Sequence, residues 1–461
     1  LNSHGGVIAL VCPPRLVFIS QNGALHSYVA KYTFKRDSVG KALRIGDILR
    51  LGKNEYRAST STRQESNNQR YFLFGDPAMR PAYPIYRAVI ETINGQEVGE
   101  DNMPVFQARQ TLNFTGKIVS QDGSQLDFNG PVIATLYDSE QSVVTHGYGQ
   151  GTEYTFLDRG NRLAVKVDTV RNGSFSFNIT VPSEVIATYD NFSPSMISLY
   201  AYDNSRLNSN LANGGGMEAQ GANTDFYIYG YDDTVVPDTI GPNIAYMGLN
   251  SETFEEGDKV NESPLFIAAI EDQSGINLSA SGIGHSMTLT LDGTKVYSDV
   301  TSYFTPMPTQ SGEGTAGTIA YRLSDLDNGH HTLKLKVWDV FNNSSEKTIS
   351  FIAMSGLKPE LYDVYTDANP ASVEANFYVR HNRPDANLTV TIQVFDLLGR
   401  EVWSNTQTGR SDMFTSFPIH WTLVDHSGAR VARGIYVYRA TITTDGVQEV
   451  TKAKKIAVTA P

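Results

Sequence analysis

The sequence predicts a multidomain, mainly β protein in which a short α/β segment precedes three β-sandwich modules. Its length of 461 residues suits several units of roughly 100–200 residues each. From residue 105 on, short alternating runs such as TLNFTGKIVS, PVIATLYD and GSFSFNITVP succeed one another between Gly, Asn, Asp and Ser, which is the pattern of sandwich strands and their turns. Ahead of them, a continuous apolar run at residues 6–11 is followed by Leu25, Tyr28, Val29 and Tyr32. That order is expected of a strand buried on both faces with a helix behind it.

Val39, Leu43, Ile48 and Leu49 predict a second helix, with Ser38 as its N-cap and Gly52 as its terminator. The polar run at 59–69, STSTRQESNNQ, has no periodicity and reads as an exposed loop, and residues 71–74 read as the next core strand. This α/β segment is expected to cover residues 1–90. The β-modules are expected at 105–236, at 237–355 (opening on PDTIGPNIAYMGLN) and at 357–461. They share a strand that ends in an acidic residue, in LYAYDNS, LKVWDVFNNSS and IQVFDLLGRE, where Asp or Asn caps the following turn. The glycine-rich stretch 211–222, LANGGGMEAQGA, is not followed by Lys-Ser/Thr and predicts a loop rather than a phosphate cradle.

Charge removes one class of function. The net charge is −12 and no basic run exceeds a few residues, so the electrostatic footprint of a nucleic-acid partner is missing. GGVIALVC, the longest apolar stretch near the start, is too short to cross a bilayer. The single cysteine forms no internal disulfide. The first residue is Leu, with no signal-peptide pattern behind it, so the chain is expected to be truncated or processed.

Few residues carry chemistry. Cys12 would need a base within about 3 Å to act as a nucleophile, and His4, eight residues away along an extended strand, lies roughly 26 Å off. His26 is on the next helix, and nothing local brings it to Cys12, so Cys12 is expected to be a packing or pocket-rim residue. His330 and His331 are strand neighbours pointing to opposite faces and do not share an ion. The acidic clusters YDDTVVPD and IEDQSGI are expected to be solvated turns, with a structural calcium ion as the alternative reading.

Two stretches resemble known families. NSHGGVIALVCPPRLVF, followed in order by YFLFGDPAMRPAYP, resembles the last part of a gingipain-type cysteine peptidase domain, a caspase-like α/β fold, over about the first 90 residues. The resemblance implies that the catalytic His and Cys lie on earlier strands, so no catalytic residue falls in this chain. It also implies that Cys12, Pro13 and Arg15, just after the strand, wall a substrate pocket. At the other end, ANPASVEANFYV, LTVTIQVFDLLGREVWS, PIHWTLVDHSGARVARGIYVYRATI and KAKKIAVT resemble the Ig-like carboxy-terminal domain of type IX secretion cargo. Lys452, Lys454 and Lys455 on its closing strand either discourage edge-to-edge pairing or dock on the export machinery.

Taken together, these parts resemble the cell-surface sortases of the type IX secretion system, with Ig-like modules between the two ends. The resemblance implies cleavage of the C-terminal signal of cargo and transfer of the new end to anionic lipopolysaccharide, at the outer membrane beside a β-barrel partner and without a cofactor. The alternatives are a conventional secreted gingipain-like protease that is itself cargo, and a non-enzymatic surface adhesin or anchoring module.

Overall fold

A glycine sets how the first segment packs. The structure, a computed structural model, describes residues 8–38, 40–59, 65–146, 151, 153–185, 193–203, 217–279, 284–298 and 300–459. Strand β1 (Leu10–Cys12) leads into helices α1 (Ile19–Thr33), α2 (Ile45–Ser59) and α3 (Glu65–Arg70), and then into strand β2 (Phe72–Phe74). On α2 the buried residues are Ile48, Leu49, Gly52 and Tyr56, a stripe at helical spacing. Gly52 is inside the helix and does not end it. A Cβ there would lie 2.8 Å from the Cα of Val29 on α1, so glycine lets the two helices touch backbone to backbone. Nor is Ser38 the N-cap: the first N–H groups of α2, at Ile45 and Gly46, donate to the carbonyls of Met79 (2.8 Å) and Pro77 (3.0 Å). Part of the expected loop at 59–69 is α3, and residues 60–64 lie outside the described residues.

The first sandwich begins earlier than residue 105. Strand β3 (Tyr86–Ile93) sits in a sheet ordered Arg162–Val170, Gly130–Tyr137, Met196–Asp203, Met217–Asn223, β3, Thr111–Val119, Ser174–Thr180. Every pairing along that order is antiparallel except the one between Met217–Asn223 and β3, which is parallel and only two residues long. This short joint divides the sheet into two leaves that share one core, containing Phe114, Leu136, Phe177, Ile197 and Phe226. Met217–Asn223 also corrects the expected loop at 211–222, whose last six residues are strand; residues 211–216 lie outside the described residues.

The second sandwich pairs a four-stranded with a five-stranded sheet over a core that includes Phe266, Leu289, Leu335 and Phe351. The third pairs a three-stranded sheet with a five-stranded one around Phe377, Trp421 and Tyr438. The protein is thus a β-rich multidomain chain with a small helical segment at its start. Its sandwiches are not beads on a string. Val165 of the first contributes to the core of the second, and the buried Lys166 donates to the carbonyls of Gly312 and Gly314 at 2.7 and 2.8 Å. Arg322 of the second sandwich donates to the carbonyls of Ser263 and of Pro384 in the third.

Candidate functional site

The GDPAMR motif works as a clamp. Gly75 has φ +144, and a Cβ there would come within 2.9 Å of the Cβ of Ala9, so glycine permits the exit of β2 to pass close to β1. Asp76 Oδ1 accepts the Ala78 N–H at 2.8 Å and shapes the turn. Pro77 and Met79 then supply the carbonyls that cap α2, and Arg80 donates to Asp37 Oδ2 at 2.9 Å. These residues fix the end of β2 against the helices and so hold β1 and Cys12 in place.

β1 and β2 pair antiparallel, with Leu10 opposite Phe74 and Cys12 opposite Phe72. Alternation therefore puts these four side chains on one face and Val11 and Leu73 on the other. The face expected to be buried is open: Leu10, Phe72 and Phe74 are 50%, 51% and 53% exposed. Among the described residues no second layer covers it, so a run that reads as a strand buried on both faces is open on one, with Val11 and Leu73 half-buried on the other. Cys12 is half-buried and unpaired at the end of β1, with Pro13 half-buried and Arg15 exposed just beyond. The stretch 13–18 is held from below by α3. Arg70 donates to the Leu16 carbonyl at 2.8 Å, and the fully buried Asn67 accepts the Phe18 N–H at 3.1 Å while donating to the Phe18 carbonyl at 2.7 Å. Cys12, Pro13 and Arg15 thus follow one another along the stretch that leaves the open apolar face. His26 is on the exposed side of α1, no bond links it to Cys12 among the described residues, and His4 lies outside them. Asn67 was not singled out from sequence, because nothing in the polar run ESNNQR marks a buried clamp.

A second cluster unites acidic residues from three separate stretches. Asp238, Asp272 and Asp339 bring carboxylate oxygens within 4.8 Å of one another. Each caps its own turn with one oxygen: Asp272 Oδ1 accepts from the N–H groups of Ser274 and Gly275 at 2.8 Å each, and Asp339 Oδ1 accepts from those of Phe341 and Asn343 at 2.9 and 2.7 Å. Asp238 Oδ1 accepts from Ile240 at 2.9 Å. Two neutral side-chain donors also reach the carboxylates, the Ser274 hydroxyl on Asp238 Oδ2 and the Asn343 amide on Asp339 Oδ2, both at 2.7 Å. Burial, reinforced by the charges of Asp339 and Asp238, pushes Asp272 up to about 7. Burial also raises Asp339, while the Ser274 hydroxyl holds Asp238 below the usual carboxylate range. The set could hold a hard divalent cation such as calcium, which takes carboxylate oxygens, or it could keep a proton. Asp238 and Asp272 come from the two clusters noted in the sequence. Asp339 had a weaker signal, the acidic residue that ends the strand in LKVWDVFNNSS.

Lys452, Lys454 and Lys455 are exposed, but only the last two are on the closing strand, Lys452 lying two residues before it; Lys454 pairs with Asp363 Oδ1 at 2.5 Å. That strand, Lys454–Val458, is not an open edge. On its outer side Ala371 N–H donates to the Ala457 carbonyl at 2.8 Å, Thr459 N–H to the Ala371 carbonyl at 2.9 Å, and Ala457 N–H to Asn369 Oδ1 at 3.0 Å. The edges of that sheet that no strand covers are Glu401–Arg410 and Val447–Val450, and neither has a lysine, so edge protection does not account for the basic strand.

Residues 1–82 match Peptidase family C25. No curated protein matches the chain. Among solved structures, the chain is similar to the crystal structure of dimeric latent PorU from Porphyromonas gingivalis, at 30% identity over 93% of this chain with a TM-score of 0.39. It spans 39% of that protein's length. It is also similar to a tetra-tandem repeat in the extending region of a large adhesion protein, at 12% identity over 82% of this chain and 74% of that one, with a TM-score of 0.18. A third similar structure, the FN1–FN3 domains of chicken CNTN1, gives 8% identity over 80% and 97% of the two chains, with a TM-score of 0.19.

Proposed function

From a chain whose residues 1–82 carry the sequence pattern of peptidase family C25, we propose that it is the C-terminal part of a cell-surface cysteine peptidase that acts as a sortase on type IX cargo. The observation that carries the reading is the family match laid on β1 and β2, a two-stranded sheet with one apolar face uncovered. Two strands alone make a marginal sheet in water; further strands of the peptidase domain, bearing the catalytic His and Cys, would pair at its edges, and the rest of that domain would cover the open face. No helix of the described residues is long and apolar enough to cross a membrane. On this reading the outer membrane is reached through a β-barrel partner.

The chemistry is acyl transfer. A cysteine thiolate supplied by the rest of the domain attacks the scissile carbonyl of the cargo tail, the tail departs as an amine, and a thioester remains. The amine of an anionic lipopolysaccharide then attacks the thioester carbonyl and regenerates the thiol, with water as the competing acceptor. Cys12, Pro13 and Arg15 contribute to substrate contact at the rim. Lys452, Lys454 and Lys455 contribute to docking on the export machinery, since the outer side of the strand that carries Lys454 and Lys455 is already closed by residues 369–371. A calcium ion, where one binds, has its donors in Asp238, Asp272 and Asp339. Titration calorimetry with Ca²⁺ on the full chain reads that directly, and a flat titration at pH 8 removes calcium from the account.

The test of the main reading uses the peptidase-containing protein and cargo-tail peptides, with intact mass as the readout. The 461-residue chain by itself is expected to cleave nothing. In the longer protein, Cys12→Ala is expected to shift KM a few-fold and leave kcat in place, as loss of a rim contact does. Abolished turnover in that variant would make Cys12 the nucleophile and overturn the assignment.

A further inference from the structure

Turn tips in β-proteins are built from polar residues, because they face water. The turn at 396–400 of the third sandwich departs from that rule, with Leu397 and Leu398 at its centre 69% and 81% exposed. Yet the turn is firmly built. Asp396 Oδ1 accepts the N–H groups of Leu398 and Arg400 at 2.9 Å each, and its Oδ2 accepts Arg400 Nε at 2.7 Å. Gly399 N–H closes on the Asp396 carbonyl at 3.0 Å. A neighbouring turn, 425–429, uses the same lock: Asp425 Oδ1 accepts from Ser427 and Ala429 at 2.8 and 3.1 Å. Its tip, however, is His426 and Ser427. The backbone device therefore does not need leucine, and the two leucines are free to serve an outside contact.

What surrounds the tip narrows the partner. Phe395 stands opposite Val437 in the ladder, so the chain leaving Phe395 runs beside Ile435, which is also exposed. Arg433 precedes this strand and Arg400 closes the turn, both exposed. The nearby acidic groups are engaged. Asp396 and Asp425 hold the turns, and Glu401 accepts from Gln393 at 2.7 Å and faces His426 at 3.4 Å.

We propose that this end of the third sandwich is a lipid-contacting surface, where Leu397 and Leu398 enter the acyl region and Arg400 and Arg433 donate to headgroup phosphates. A convex apolar tip with guanidinium forks at its base matches the layering of a membrane surface, in which phosphates overlie hydrocarbon. A concave protein pocket would match the leucines but would leave Arg433, and the guanidinium N–H groups of Arg400 beyond the Nε that holds Asp396, without a role. The inference is independent of the peptidase reading.

The test is flotation of the full chain with vesicles of phosphatidylcholine alone and of phosphatidylcholine mixed with phosphatidylglycerol. The parent chain is expected to float with both and more tightly with the anionic vesicles. Since Leu10, Phe72 and Phe74 also expose apolar surface, the decisive reading is the difference between parent and variant. L397S/L398S is expected to lower partition on both vesicles by about tenfold or more. R400Q/R433Q is expected to lower it only on the anionic ones, an effect that fades in high salt. Unchanged partition in L397S/L398S with unaltered thermal unfolding overturns the proposal, as does failure of the parent to float with either vesicle. Should L397S/L398S unfold, R400Q/R433Q decides alone, and loss of its charge-selective effect overturns the proposal.

Discussion

Asp272 makes the second sandwich sensitive to pH in an unusual direction. Its carboxyl is pushed from an ordinary 3.8 to about 7 in the fold, so between those values the folded chain holds a proton that the unfolded chain has released. The stability this proton brings is full below about pH 4 and is lost as pH rises through about 7, a swing on the order of 2–4 kcal/mol. Calorimetry between pH 5 and 8 should therefore show the transition of this sandwich moving down as pH rises. Asp272→Asn, which keeps the shape and removes the charge, should flatten that slope and raise the transition at pH 8. An unchanged slope in the variant would clear Asp272 of responsibility. The sequence showed that Asp238 and Asp272 sit in acidic turns but not that they meet Asp339, because the meeting depends on how two strand ends and the stretch between the first two sandwiches converge. Asn67 was hidden for a related reason: an asparagine in a polar run carries no mark of burial until two helices close over it.

At the scale of elements, periodicity was the dependable signal and punctuation the weaker one. Leu25, Ile48 and Leu49 lie on helices and are buried, as their spacing predicts, whereas Leu43 precedes α2 and Val39 lies outside the described residues. Gly52 was expected to stop a helix because glycine often does, but here its missing side chain is used for contact with Val29. Gly52→Ala tests this. Alanine favours an exposed helix by about 1 kcal/mol, whereas a Cβ pressed on the Val29 backbone costs roughly 1–3 kcal/mol. The variant should therefore exchange the amides of α1 and α2 faster than the parent; slower exchange would show that propensity, not contact, governs the position. The start of the first sandwich was misjudged for a comparable reason. β3 follows the proline-rich exit at once, and its place in the sheet is fixed by pairings with Thr111–Val119 and, briefly, Met217–Asn223, which are distant in sequence. The basic closing strand reads as an edge in sequence, and only the fold reveals residues 369–371 laid along it.

For the molecule as a whole, the alternating runs made the β-rich, modular architecture legible, but not the joints between modules. Val165 illustrates the difference. It lies on Arg162–Val170, an outer strand of the first sandwich, yet its side chain is counted in the second core, beside a lysine that ties down the loop at 312–314. Val165→Ala should cost roughly 1–3 kcal/mol, and calorimetry should register it as a joint shift of the first two sandwiches while the third is unmoved. A shift confined to one sandwich would mean that they melt independently. There is a practical corollary for anyone grafting these parts. A wall common to two rooms cannot be removed with either one, so a chimera spliced near residue 237 would carry a bald apolar strand on one side and a breached core on the other. Residues 86–355 should be moved as a single cassette.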